Sequence, residues 1–105
     1  MKILKFQRIN ASRGRRWHHG DLQQWSLLEW AGAVAGEAGE ACNVAKKLRR
    51  LDLSLPNREA GLPQQDAGPL REQLASECAD TIIYALLLLS ALDVDAEFVI
   101  SLVFD

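Results

Sequence analysis

The chain has 105 residues, of which 49% are hydrophobic and 25% are charged, as in an ordinary soluble globular domain. Its formal net charge of -2 argues against a protein that binds a nucleic-acid polymer. The longest charge-free run, residues 81–92, is shorter than the roughly 20 residues that cross a bilayer, and residues 1–10 do not resemble a signal peptide. We therefore expect one cytoplasmic domain over residues 1–105, without a membrane partner.

The first half of the chain predicts one long helix. Residues 1–20 mix bases, aromatic residues and glycine, and no secondary structure is predicted for them. The segment "GDLQQWS" opens a helical pattern that runs without proline to Arg50, with Asp21 or Ser26 as its N-cap.

The second half predicts a loop and two further helices. Residues 51–69 hold all three prolines and are expected to form a long loop. A second helix is predicted from Pro69 or Leu70 to Leu92, and a shorter third one from about Asp95 onward. No strand-like alternation and no repeat is present, so the predicted class is all-α.

Each long predicted helix carries two acids spaced three residues apart. These are Glu37 and Glu40 in the first helix and Glu77 and Asp80 in the second, and each spacing places both acids on one side of its helix. Residues 31–45 contain no other charge, which predicts a helix that is buried all round. Close approach by another helix or a ligand is expected at three glycines, Gly32, Gly36 and Gly39.

A divalent cation is the partner that these acids predict. Isolated ionised carboxylates are unfavourable in an apolar interior, and antiparallel neighbouring helices would bring all four together. Oxygen ligands suit Mg²⁺ or Mn²⁺ better than zinc. A lone ExxE pair usually marks a solvated face, but the apolar neighbours here argue against that. A di-iron centre needs Glu-x-x-His, and Asn43 and Ile83 stand where the histidines would be.

The two cysteines complete the apolar pattern of these helices. Cys42 and Cys78 form neither a disulfide framework nor a CxxC metal pair, so they are predicted to be buried, reduced thiols.

The whole pattern resembles the MazG-like, all-α nucleoside triphosphate pyrophosphohydrolases. The resemblance covers about residues 17–98 and is carried by "WSLLEWAGAVAGEAGEACNVAKKLRR" and "ECADTIIYALLLLSALDVD". It implies a helical-bundle protomer that completes a four-helix core by dimerisation, often paired again into a tetramer. It also implies hydrolysis of a nucleoside or deoxynucleoside triphosphate to the monophosphate and pyrophosphate, as in nucleotide-pool house-cleaning. The implied Mg²⁺ ligands are Glu37, Glu40, Glu77 and Asp80.

Roles for other residues follow from that resemblance. Glu37 or Glu40 would orient or deprotonate the attacking water, and both assignments stay open. Contacts to the substrate are expected from Asn43, Lys47, Tyr84, Trp17 and Arg50. Competing interpretations are that Lys46 and Arg50 complement the helix dipole and that Asn43 is a buried packing amide.

Aromatic side chains are the candidates for stacking on the base. They are Trp17, His18, Trp25 and Trp30. Trp25 and Trp30 lie in a helical pattern, so a place in the core is the competing interpretation for both. His18 and His19 are expected to be exposed.

Two features depart from the family pattern. The segment between Glu40 and Glu77 is longer than usual, and the C-terminus is shorter than the family norm. Apolar side chains near the end of the chain need cover, which favours a homo-oligomer; they are Phe98, Ile100, Val103 and Phe104.

The hypothesis that competes with an enzyme is a non-catalytic helical dimer that binds nucleotides or a protein partner.

Overall fold

A computed structural model describes residues 2–53, 55 and 66–105. Within these residues the chain forms four α-helices and no strand, which confirms the predicted all-α class. The helices are α1 (Ile3–Trp17), α2 (Leu27–Asp52), α3 (Ala67–Ala91) and α4 (Ala96–Phe104), and a short 3-10 helix (Leu22–Gln24) lies between α1 and α2. The chain divides into two compact units, residues 1–34 with 82–105 (the first unit) and residues 35–81 (the second unit).

Both predicted N-caps are used, Asp21 by the 3-10 helix and Ser26 by α2. The Asp21 carboxylate accepts a hydrogen bond from the backbone N–H of Gln23 at 2.8 Å and starts the 3-10 helix. The Ser26 hydroxyl accepts from the backbone N–H of Glu29 at 3.1 Å and starts α2. Such caps satisfy N–H groups that have no partner within the helix.

The ends of the predicted loop turn out to be helical. Helix α2 continues to Asp52, and α3 begins at Ala67, ahead of the predicted start at Pro69 or Leu70. Pro69 is tolerated there because the first turn of a helix needs no N–H donor. Most of the remaining predicted loop lies outside the described residues. The third predicted helix is α4, and its N-cap Asp95 accepts from the N–H of Phe98 at 3.2 Å.

The core of the first unit is built around one tryptophan. Trp30 is 0% exposed, and its indole N–H donates to the carbonyl of Leu22 at 2.8 Å. It belongs to a cluster with Ala11, Leu22, Leu87 and Ala91, against which Trp25, Ile83, Tyr84 and Leu88 pack. Trp30 is therefore a core residue, as the competing interpretation held.

Helix α1 joins this core through small and polar residues. Its buried residues are Gln7, Asn10, Ala11 and Gly14. A Cβ added at Gly14 would lie 2.7 Å from the Cδ2 atom of Leu87, so a larger residue there would force the Leu87 side chain to shift. The Asn10 amide donates to the carbonyl of Ile83 at 3.0 Å, which fixes α1 against α3 within this unit.

The second unit contains residues 35–52 of α2 and residues 67–81 of α3. Val44 and Leu70 are buried, at 3% and 1% exposure. The remainder is more open than predicted, because two helical segments can cover only one side of each other. Cys42 and Cys78 are free and both exposed, so the prediction of buried thiols is wrong for the single chain.

The same openness holds along α2. Residues 35–43 are exposed or half-buried, so a helix buried all round is a wrong prediction for the protomer. A Cβ added at Gly32, Gly36 or Gly39 would meet no atom within 4 Å among the described residues. The close approach predicted at these glycines is therefore not made within the described part of one chain.

Helix α3 is long and apolar enough, by length and composition, to cross a membrane, and 17% of its most apolar window is buried. One such helix is weak evidence for a membrane span, because core helices of soluble proteins meet the same criterion.

Candidate metal centre

Three carboxylates converge in the second unit. Glu37 and Glu40 lie one turn apart on α2, and Glu77 projects from α3. One oxygen from each of these side chains lies within 4.8 Å of the others. Two oxygens on opposite sides of a bound Mg²⁺ are about 4.2 Å apart, since each Mg–O bond is about 2.1 Å. Adjacent oxygens around Mg²⁺ are only about 3.0 Å apart, so the three carboxylates would move closer together to share one cation.

Asp80 contributes negative charge to the same cluster. It lies one turn after Glu77 on α3 and is half-buried. Its charge raises the pKa of both Glu37 and Glu77, although its oxygens are not among the three that converge. The structure therefore places all four predicted acids in one electrostatic neighbourhood, three of them within reach of a shared ion.

The pKa of Glu37 is raised above its ordinary value of 4.5. The largest cause is partial burial, which disfavours the charged carboxylate, and the charges of Glu40 and Asp80 act in the same direction. Hydrogen bonding with the Glu40 carboxyl raises the pKa of Glu37 further, because two neighbouring carboxyl groups are stabilised when they share a proton.

The pKa of Glu77 is raised for related reasons. Burial is again the largest cause, followed by hydrogen bonding with Glu40 and then by the charges of Glu40, Asp80 and Glu37. Its Oε2 atom is buried and finds no hydrogen-bond donor among the residues that the structure describes. Every charged group that shifts these two pKa values is itself a carboxylate.

This donor set fits a hard divalent cation. A buried carboxylate oxygen without a donor is unfavourable, and adjacent like charges add repulsion. A cation removes both penalties at once, and oxygen-only ligands are those that Mg²⁺ and Mn²⁺ prefer.

The polar residues predicted for substrate binding follow the acids along α2. Asn43, Lys46 and Lys47 are exposed, and Arg50 is half-buried. The interpretation of Asn43 as a buried packing amide is therefore wrong for the single chain. Asn43 and Lys47 stand three and seven residues after Glu40, which places them on the same side of the helix.

The predicted aromatic contacts belong to the first unit. Tyr84 is half-buried, and its ring centroid lies 6.4 Å from that of Trp30. His18 is also half-buried, with its ring 4.9 Å from Trp25 and 5.0 Å from Trp30, so the prediction of an exposed His18 is wrong. The reason is that the turn after α1 packs its first residue onto the tryptophans, whereas His19 is exposed as expected.

Trp17 differs from the other two tryptophans. It is 62% exposed, and the guanidinium of Arg13 lies 4.5 Å from its ring centroid. The sequence does not predict this cation–π contact, because it predicts no helix for residues 1–20. The four-residue spacing of an arginine and a tryptophan would have indicated the contact once α1 was known.

No family model, no curated protein and no solved structure matches the chain. The assignment of a function therefore depends on the geometry of the carboxylates.

Proposed function

We propose that the protein is a Mg²⁺-dependent pyrophosphohydrolase that converts nucleoside or deoxynucleoside triphosphates to the monophosphate and pyrophosphate. The observation that supports it is the convergence of Glu37, Glu40 and Glu77 within 4.8 Å. A role in removing unwanted nucleotides from the cytoplasmic pool is part of the proposal.

The residues that would hold the metal are Glu37, Glu40, Glu77 and Asp80, with Mn²⁺ as a substitute. Bound Mg²⁺ would neutralise charge on the triphosphate and lower the pKa of a water molecule that attacks the α-phosphorus. Four carboxylates and a triphosphate repel each other strongly without a cation. Binding of the nucleotide should therefore require the metal.

Among the acids, Glu40 is the best candidate to accept the proton of the attacking water. It is the exposed member of the three, whereas Glu37 and Glu77 are half-buried. Glu40 also raises the pKa of both Glu37 and Glu77, so its carboxyl group lies beside theirs, next to the proposed metal. As the water oxygen bonds to the α-phosphorus, the bond to the bridging oxygen breaks and pyrophosphate leaves.

Bases on the same helix would hold the phosphates. Lys47 is exposed on the side of α2 that carries Glu40, and Arg50 follows it by three residues. Asn43 lies between the acids and these bases, where an amide suits a sugar hydroxyl or a phosphate oxygen. Tyr84 and Trp17 are proposed for the sugar and the base.

The proposal is tested by measuring pyrophosphate released from a panel of NTPs and dNTPs with Mg²⁺. We expect turnover by the wild type and a loss of roughly 10²- to 10⁴-fold in Glu40→Gln, as for removal of a general base. Glu72→Gln is the matched control, because Glu72 is exposed on α3 outside the cluster, and it should retain full activity. Absence of turnover by the wild type, or unchanged turnover in Glu40→Gln, would contradict the proposal.

A non-catalytic helical dimer is the alternative. Calorimetric binding of a nucleotide with Mg²⁺ but without turnover would support it. In both proposals two protomers complete a four-helix core, which would cover the exposed positions of α2.

A further inference from the structure

The acidic and basic residues are distributed very unevenly along the chain. All 14 acids follow residue 20, whereas half of the 12 bases precede it. These six bases are Lys2, Lys5, Arg8, Arg13, Arg15 and Arg16, and every one of them is exposed. Helix α1 and its N-cap therefore carry only positive formal charge.

The bases surround the side of α1 that faces away from the core. At 100° per residue, Lys5, Ile9, Arg13 and Arg16 fall within an arc of about 80°. This arc lies opposite the buried residues Gln7, Asn10, Ala11 and Gly14. No base on α1 makes an ion pair with any residue of ranges 2–53 and 66–105, so the outward face carries uncompensated charge.

The stability of the helix does not explain why bases occupy both ends of α1. Arg15 and Arg16 lie in the last turn, where cations complement the helix dipole. Lys2 is the N-cap and Lys5 lies in the first turn, at the positive end of the same dipole, where cations are unfavourable. The first turn contains no acid that would offset them.

A groove adjoins the outward face at its N-terminal end. Its volume is about 390 Å³, and it is lined by Lys2, Leu4, Lys5, Arg8, Ile9 and Glu97. The groove is thus lined by three bases, one acid and two apolar side chains. This composition suits a ligand that carries several negative charges next to a partly apolar body.

We propose that the outward face of α1 binds the phosphodiester backbone of a single-stranded nucleic acid without sequence specificity. Two of the three bases on the outward arc, Arg13 and Arg16, are arginines, and an arginine can bind two phosphate oxygens at once. Trp17, stacked under Arg13 and 62% exposed, supplies a surface on which an unpaired base can stack.

A membrane surface fits this face less well. A helix that lies in a bilayer interface needs a free apolar side. The small and polar side of α1 is buried in the first unit, and Ile9 is the one apolar residue in the middle of the outward arc. The net charge of -2 does not exclude the proposal either, because charges more than about 8 Å away are largely screened at physiological salt.

The test is fluorescence anisotropy of a labelled single-stranded oligonucleotide, titrated with the full chain in EDTA at several salt concentrations. EDTA keeps metal-bridged contacts at the carboxylates out of the measurement. About four phosphate contacts to a single strand predict a slope of log K against log salt near -3, and each lost contact should reduce its magnitude by about 0.7.

Two neighbouring arginines form the matched pair of variants. Arg16 lies on the outward arc, whereas Arg15 lines a cavity of about 440 Å³ that also contains Asp93 and Asp95. Arg16→Gln should weaken binding and reduce the slope, and Arg15→Gln should do so less. Both side chains are exposed, so both variants should keep the wild-type circular dichroism spectrum.

Three results would overturn the proposal: no binding of the oligonucleotide, equal losses in the two variants, or equally tight binding of polyglutamate. Binding to anionic lipid vesicles without binding to the oligonucleotide would overturn it in favour of a membrane. Retention of oligonucleotide binding in Glu40→Gln is expected, since that residue lies outside α1. Failure of this proposal would leave the proposed pyrophosphohydrolase activity untouched.

Discussion

The described residues satisfy the Glu77 carboxylate poorly. Its Oε2 atom is buried without a donor from the described residues, and three other acids act on its pKa. In most proteins a buried polar atom has a partner, so an exception of this kind indicates strain or a missing ligand. A divalent cation is the ligand that would satisfy all of these groups together.

The raised pKa values of Glu37 and Glu77 predict a pH-dependent stability. The folded chain binds protons more tightly than the unfolded chain, in which these groups titrate near 4.5. Their stabilising contribution is fully present below pH 4.5 and is lost as the pH rises through the higher folded-state pKa values. In EDTA, the Tm of the wild type should therefore fall relative to that of Glu77→Gln as the pH is raised to neutrality.

Mg²⁺ should reverse this effect at neutral pH. It should raise the Tm of the wild type, because a ligand that binds only the folded state stabilises it, and it should leave Glu77→Gln nearly unchanged. Thermal unfolding followed by circular dichroism measures both effects, with Glu72→Gln as the control that should behave like the wild type. A Tm of the wild type that does not respond to Mg²⁺ would contradict the metal site.

Among the elements, α1 was the one that sequence patterning could not find. Its buried residues are Gln7, Asn10, Ala11 and Gly14, none of them a large apolar side chain. A helix is recognised by apolar residues that recur every three or four positions, and that signal is absent here. Helix α4 was predicted because Asp95 precedes an apolar run, which is a strong start signal.

The sequence pattern of α2 and α3 correctly predicts that the four acids lie near one another. It wrongly predicts that the residues around them are buried. The spacing of Glu37, Glu40, Glu77 and Asp80 was sufficient to place them in one neighbourhood, because helical periodicity fixes the side on which each lies. Burial depends on which other elements cover a helix, and this information is not contained in the periodicity. An apolar helix such as α2 can be covered by its own chain or by a second one.

Gln7 joins α1 to the start of α4 and predicts a measurable loss of stability. Its amide N–H donates to the carbonyl of Val94 at 2.8 Å, and its carbonyl accepts from the buried N–H of Ala96 at 2.8 Å. Gln7→Met would keep the side-chain volume but leave both backbone groups without this partner. We expect a decrease of about 1–3 kcal/mol in the free energy of unfolding, measured by urea denaturation.

The exposed Gln24, at the end of the 3-10 helix, provides the control. Gln24→Met should change the free energy of unfolding by less than about 0.5 kcal/mol, as surface substitutions usually do. Equal stability of Gln7→Met and Gln24→Met would show that the two hydrogen bonds of Gln7 do not fasten α4.

At the scale of the whole molecule, several large apolar side chains near the end of the chain are exposed. Phe98, Ile100, Val103 and Phe104 are 62%, 44%, 83% and 88% exposed, so the expectation that these side chains need cover agrees with the structure. In the second unit, Gly36 and Gly39 leave room for a backbone that the described part of one chain does not supply. Both features favour association with a second copy.

Light scattering should therefore give a mass of two or four times 11.7 kDa for the wild type at micromolar concentration. Gly39→Leu should shift the mass toward 11.7 kDa, because a leucine side chain would keep a second helix from approaching α2 closely. Its helicity should be retained, since leucine is a better helix former than glycine by roughly 0.8 kcal/mol. Gly68→Leu is the matched control, because Gly68 also lies in a helix with open space around it but belongs to the first turn of α3. An oligomer that survives Gly39→Leu would place the interface elsewhere, and a monomeric wild type would mean that the carboxylates of one chain must hold the metal alone.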